Sequence, residues 1–196
     1  MNQKIRLFIA IDLPEVVKGA LLSAAVLLGQ GGQTGQRLPD GAVRWVKPEQ
    51  LHLTLRFLGD TAVSQLPILQ DQLTRLTAQH PAFHLRQNGL GAFPNRKRPR
   101  VVWAGLAGEL AALQAMQAEL EDRVVALGWP REERPFSPHI TLGRVKDVSR
   151  AQALNWQVAL AELAIEVTAV KLVQSELRPS GPVYTVRHVA YLGRGN

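Results

Sequence analysis

The chain has no cysteine. Disulfides, thiolate-held zinc and cysteine nucleophiles are therefore excluded, and a cytoplasmic location fits that composition. Acidic residues are also in short supply: 16 Asp and Glu stand against 23 Lys and Arg, for a net charge of +7. Such a balance favours a polyanionic partner, RNA, DNA or an acidic membrane surface, without choosing among them. No stretch approaches the ~18 consecutive apolar residues of a membrane span. The opening MNQKIRLFIAIDLP has an apolar run only from Leu7 to Ile11 before Asp12. That is too short for a signal-peptide core and reads as a first strand.

What is present suits a globular chain. The 196 residues are 46% hydrophobic, enough to bury a core within one compact domain with room for two lobes. Strand-like composition covers 5–13, and Pro14 then opens a helix to about residue 28. GQGGQTGQ (29–36) reads as a flexible connector. Strands are expected near 43–46 and 52–58, a helix over 65–79, and strands over 83–92 and 101–106. A third helix runs from about 110 to Gly128. A short helix near 149–155 and strands near 158–168, 170–177 and 184–192 complete the chain, with a turn at SGP (180–182). The mixture implies an α+β fold of antiparallel sheets with helices packed outside.

One pattern occurs twice. Residues 52–55 read His-Leu-Thr-Leu, and 139–142 read His-Ile-Thr-Leu; the histidines are 87 positions apart, close to half the chain. Residues two apart on a strand share a face. His52 with Thr54, and His139 with Thr141, would each face one way, above Leu53, Leu55 and Phe57 in the first copy and Ile140 and Leu142 in the second. A matching pair in matching contexts suggests an old duplication, with two lobes around a cleft. The chemistry that wants two imidazoles is paired proton transfer: near neutral pH one is free to accept a proton while the other donates. In-line displacement at a phosphodiester makes that demand, because the attacking and leaving oxygens lie on opposite sides of phosphorus. Threonine hydroxyls one strand-step away suit the non-bridging oxygens. No metal or other cofactor is required, and two histidines alone make a poor zinc site. The residues leave open which histidine gives the proton.

These paired motifs resemble those of the two-histidine phosphoesterases. The segments RLFIAIDLP, VRWVKPEQLHLTLRFLGD, FPNRKRPRVVWAGL, FSPHITLGRV and SELRPSGPVYTV, in this order, resemble more closely the RNA 2′,3′-cyclic phosphodiesterases, also called 2′-5′ RNA ligases. The resemblance spans nearly the whole chain, 1–196, as a single bilobal domain. It implies two similar lobes of antiparallel sheet around a central groove. It also implies hydrolysis of RNA 2′,3′-cyclic phosphate ends to 2′-phosphomonoesters, and 2′-5′ ligation when a ribose hydroxyl replaces water. Carried over by position, His52 is the proton donor to the departing 3′ oxygen, His139 the proton acceptor that activates water, and Thr54 and Thr141 hold the phosphate. RNA bearing a 2′,3′-cyclic phosphate or a 2′-5′ linkage is then the expected partner of a monomer.

Four further residues are substrate-binding candidates. Alternation puts Phe8 on a strand face opposite Leu7 and Ile9, free to line the groove and stack on a base. The same counting puts Arg56 on the His52 face. Arg144 follows the second motif as in relatives but needs a bulge to reach the groove, and Tyr184 lies in the family-like GPVYTV. The basic run over 95–100 reads either as a solvated loop or as an RNA track. His80, His84 and His188 are read as non-catalytic. Two alternatives stand beside the cyclic phosphodiesterase: an enzyme for a small cyclic nucleotide, and a non-catalytic protein that binds RNA ends.

Overall fold

The computed structural model describes residues 3–30, 37–179 and 181–193; most of the expected connector and Ser180 of the expected turn lie outside them. Strand β1 (Lys4–Asp12) leads into helix α1 (Glu15–Gly29), then β2 (Val43–Trp45) and β3 (His52–Ala62). Helix α2 (Leu66–Ala78) precedes β4 (Phe83–Phe93) and β5 (Val101–Gly108). Helix α3 (Leu110–Ala126) is followed by β6 (Ile140–Val145), β7 (Ala164–Val167), β8 (Ala169–Arg178) and β9 (Gly181–Tyr191). The α+β fold read from composition and pattern is the one the chain adopts.

All the strands join one sheet in the order β7-β4-β5-β6-β3-β1-β8-β9, with β2 alongside β6. Each half has four strands on this path, and a motif strand is the innermost of each. The halves meet where β3 and β6 pair antiparallel through Leu53 and Ile140. Chain order repeats as well: strand, helix, motif strand is β1-α1-β3 in one half and β5-α3-β6 in the other, with β2 inserted in the first.

The helices cover one side of the sheet. Val17, Leu21, Ala24 and Leu28 of α1, Leu69, Leu73 and Leu76 of α2, and Leu113, Met116 and Leu120 of α3 recur every three or four residues and are buried, the spacing of one apolar helix stripe. Ala24 apart, they meet Leu7, Ile9, Ile11, Leu53, Leu55, Ile140 and Leu142 in the main core. Phe8 and Ala10 are on the other face, in a small cluster with Val173 that Tyr184 partly covers. Alternation in β1 is therefore as expected. The expected helix near 149–155 is a 3₁₀ turn at Arg150–Ala153. Of the strand expected near 158–168, Ala164–Val167 pairs with β4. Before it, Val158 and Leu160 pack on the core from non-strand backbone.

Both motif strands are bulged, and at the same motif position. The β1 ladder passes from Ile9–Arg56 to Ala10–Thr54, so Leu55 is the extra residue. The β5 ladder passes from Val102–Gly143 to Trp103–Thr141, so Leu142 is the extra residue. In each His-x-Thr-Leu the leucine is the inserted one, and a bulge of this kind resets the facing of the residues beyond it. Phe57, expected in the core, is instead 59% exposed and lines the opposite side. Arg144 reaches that side too. Gly143, the counterpart of Arg56, has no room for a side chain: a Cβ would stand 2.7 Å from Val43 Cγ1 and 2.8 Å from Trp45 Cε3.

Arg56 is displaced by the same reset, which corrects its reading as a groove residue. It is 7% exposed, with Nε 2.6 Å from Glu121 Oε2 in a close ion pair that lacks hydrogen-bond alignment. Its Nη1 donates to the Phe57 carbonyl at 2.9 Å, and Nη2 donates to the carbonyl of Pro130. Glu121 in turn accepts from the backbone N–H of Glu132 at 2.8 Å. Arg56 thus ties the stretch that delivers His139 to the strand that carries His52. Glu121→Leu leaves this guanidinium buried without its main counter-charge, so urea unfolding is expected to show a loss of about 3–5 kcal/mol. The double change Arg56→Met/Glu121→Leu is expected to cost less. A single variant as stable as the parent refutes the anchoring role.

Candidate active site

The seam between β3 and β6 assembles the site. Leu53 faces Ile140, so the antiparallel count sets His52 opposite Thr141 and Thr54 opposite His139. The side chains two apart share a face, and this face is the one turned away from the helices. The two histidines are then diagonal neighbours, roughly 7–8 Å apart at the backbone, within reach of one small group bound between them. They are brought together side by side on adjacent strands.

Both imidazoles are tied down alike. His52 Nδ1 lies 2.7 Å from the Gln50 carbonyl, and His139 Nδ1 lies 2.7 Å from the Ser137 carbonyl. A carbonyl only accepts, so each Nδ1 carries the hydrogen, and each Nε2 is left as acceptor when the ring is neutral and donor when it is charged. Thr54 Oγ1 lies 3.0 Å from His52 Nε2; against a neutral ring the hydroxyl donates. Among the described residues Nε2 of His139 has no such partner.

Aromatic rings set the two environments. Phe8 stacks on His52 with centroids 4.8 Å apart and planes at 30°, and Tyr184 meets His52 edge-on at 5.6 Å. Phe8 is 3% exposed, so its stacking partner is the imidazole. Phe93 meets His139 edge-on at 4.9 Å. Burial in this apolar setting holds the His52 imidazole below the ordinary histidine range, outweighing the opposite pull of the Gln50 carbonyl and Asp12, and His139 adds to the depression. Burial also pushes the Tyr184 hydroxyl up.

A cavity of about 410 Å³ runs over this face, lined among others by His52, Thr54, Thr141, Arg144 and Tyr184. His139 is half-buried and is not among the residues that line it. Phe8, His52 and Tyr184 also wall a second cavity of about 380 Å³ towards Asp12, Lys18 and Lys171. Arg44, Gln50 and Phe57 line the first cavity and escape sequence reading, since Arg44 gains its place from strand pairing and Phe57 from the bulge. Outside the site, His80 pairs with Glu119 at 2.9 Å and His188 with Thr74 at 2.8 Å. In the basic loop, Arg96 lies over the Trp156 ring at 5.2 Å. Among the described residues no three His, Asp or Glu side chains are grouped to hold a metal ion.

The comparisons with known proteins agree with one another. The model of the 2′-5′ RNA ligase superfamily matches residues 36–178. A Thermus thermophilus RNA 2′,3′-cyclic phosphodiesterase is 40% identical over 92% of this chain and 87% of its own length. A protein of the same name from Methanothermobacter thermautotrophicus is 32% identical over 93% and 96%. Among solved structures, E. coli LigT complexed with NADP+ superposes with a TM-score of 0.75 at 27% identity, covering 98% of this chain and 99% of that one. A Thermus thermophilus structure gives 0.73 at 36% identity, covering 98% and 100%. The chain belongs to the 2′-5′ RNA ligase superfamily.

Proposed function

We propose that this enzyme hydrolyses the terminal 2′,3′-cyclic phosphate of RNA to a 2′-phosphomonoester, using His52 and His139 as a proton-transfer pair. The observation that carries this is the shared geometry of the two imidazoles. Each Nδ1 is held by a carbonyl two residues upstream, and each ring is beside a threonine across one antiparallel seam. Water attacks phosphorus as the bond to O3′ breaks. His139 takes the proton that the water loses, and His52 gives one to O3′. Thr54 and Thr141 donate to the non-bridging oxygens as charge builds there. The proton returns through solvent, and a ribose hydroxyl in place of water makes the 2′-5′ linkage. Named relatives that share most of the chain support this substrate.

A proton donor must first be charged, and burial opposes that at His52. An anionic phosphate supplies the counter-charge. At about 4 Å and an effective dielectric near 20 the attraction is about 4 kcal/mol, against roughly 1.4 kcal/mol per unit of pKa. Substrate binding therefore loads the acid. The same reading takes the chain as a cytoplasmic monomer whose two halves work as one bilobal domain. The helix contacts support that unity, because α1 packs on β6 and α3 on β3 and β4. Among the described residues no helix is long and apolar enough to cross a membrane.

Two measurements test the mechanism. An RNA oligonucleotide with a 2′,3′-cyclic phosphate should yield the 2′-phosphate in the presence of chelator, and His52→Ala and His139→Ala should each slow this by roughly 10²–10⁴-fold. Near-full rate in either variant ends the assignment, and tight binding without turnover by the parent makes the protein an RNA-end binder. By NMR, the His52 ring of the free enzyme should titrate below about 6.5, the ordinary midpoint. Saturating inorganic phosphate should move that midpoint upward. A midpoint unmoved by phosphate defeats the loading of His52 by the bound anion.

A further inference from the structure

β2 is three residues long and lies beside β6, outside the main strand path. Its central residue, Arg44, is the direct cross-strand partner of Arg144. Both side chains are exposed and both line the groove. Like charges set directly opposite on a ladder cost stability unless something relieves them. Arg75, Arg86, Arg123, Arg131, Arg150 and Arg178 each sit against a carboxylate. The ion pairs among the described residues include neither Arg44 nor Arg144. Two guanidiniums with free N–H groups on one face form a donor set for a phosphate.

Their place along the groove says which phosphate. Arg144 is beyond the bulge, one groove-facing step or roughly 7 Å along β6 from Thr141. Arg44 reaches towards the start of β9: its Nη2 is 3.1 Å from where a Cβ on Gly181 would be. Gln50 holds the same strand end by donating to the Pro182 carbonyl at 2.7 Å. In the substrate of the proposed reaction, the cyclic phosphate uses both O2′ and O3′ of the last ribose. No phosphate lies beyond it, so a second one is reached only from the 5′ side.

We propose that Arg44, with Arg144, binds the phosphodiester on the 5′ side of the terminal ribose and so makes the enzyme prefer an RNA end to a free cyclic nucleotide. The proposal rests on the cyclic phosphodiesterase reading and specifies its substrate. kcat/KM is compared on a nucleoside 2′,3′-cyclic phosphate with a free 5′-hydroxyl and on a dinucleotide ending in the same group. Arg44→Ala should lower the dinucleotide-to-mononucleotide ratio about ten-fold, and should lessen the salt dependence on the dinucleotide by about 0.7 in log–log slope. A dinucleotide whose internal linkage is an uncharged methylphosphonate should lose the same advantage with the unaltered enzyme, and Arg44→Ala should lower it no further. Equal losses of Arg44→Ala on both natural substrates overturn the proposal. Normal turnover of the methylphosphonate by the unaltered enzyme overturns it whether or not the variant folds. If the unaltered enzyme opens neither cyclic phosphate, it is the underlying activity that fails.

Discussion

The site rests on one register, Leu53 against Ile140, where the two halves of the sheet meet. Strand side chains have a period of two, so a slip by one residue would exchange every group on one motif strand between the two faces. His52 and Thr54 would enter the apolar layer under the helices, and Leu53 and Leu55 would enter the groove. Those leucines, with Ile140 and Leu142, are buried at 3% exposure or less. Their burial is what makes the slip costly. The unremarkable residues of each motif therefore hold its histidine and threonine in place, and the hydrophobic core sets which face they occupy.

The two imidazoles share a tautomer but have different surroundings. Both Nδ1 atoms are fixed by carbonyls two residues upstream, the same arrangement at the start of each motif strand. Around them the halves diverge. His52 is packed between Phe8 and Tyr184, whereas His139 has Phe93 at its edge and stays half-exposed. In the proposed mechanism, environments this different would separate the two proton-transfer roles.

Much of this is legible in the sequence because it is local. Alternation places Leu7, Ile9 and Ile11 behind β1 and Phe8 in front, and it places both motif pairs on one face. It fails just past each motif threonine. Nothing in the leucine of either motif marks it as an inserted residue, so simple counting assigns Phe57 to the core and Arg56 to the groove. The Arg56–Glu121 pair joins residues 65 positions apart (121 minus 56), a contact that only tertiary packing creates. Arg44 is inconspicuous for the same reason: a three-residue strand gains meaning from its neighbour, and β2 pairs with a strand nearly a hundred residues on. At 158–163 apolar residues pack on the core without joining the ladder, which composition alone reads as strand.

The matched bulges have a stereochemical consequence. A cyclic phosphate presents two ester oxygens, O2′ and O3′, that are nearly mirror images about phosphorus. A cradle with a true two-fold axis would offer the same histidine and threonine to each, and would leave a mixture of phosphomonoesters. The first groove-facing residue after each bulge is one place where this scaffold departs from symmetry, with an apolar ring, Phe57, on one side and a guanidinium, Arg144, on the other. With Phe8 and Tyr184 about His52 against Phe93 about His139, this leaves the cleft without two-fold symmetry, so a cyclic phosphate would meet different neighbours at its two ester oxygens.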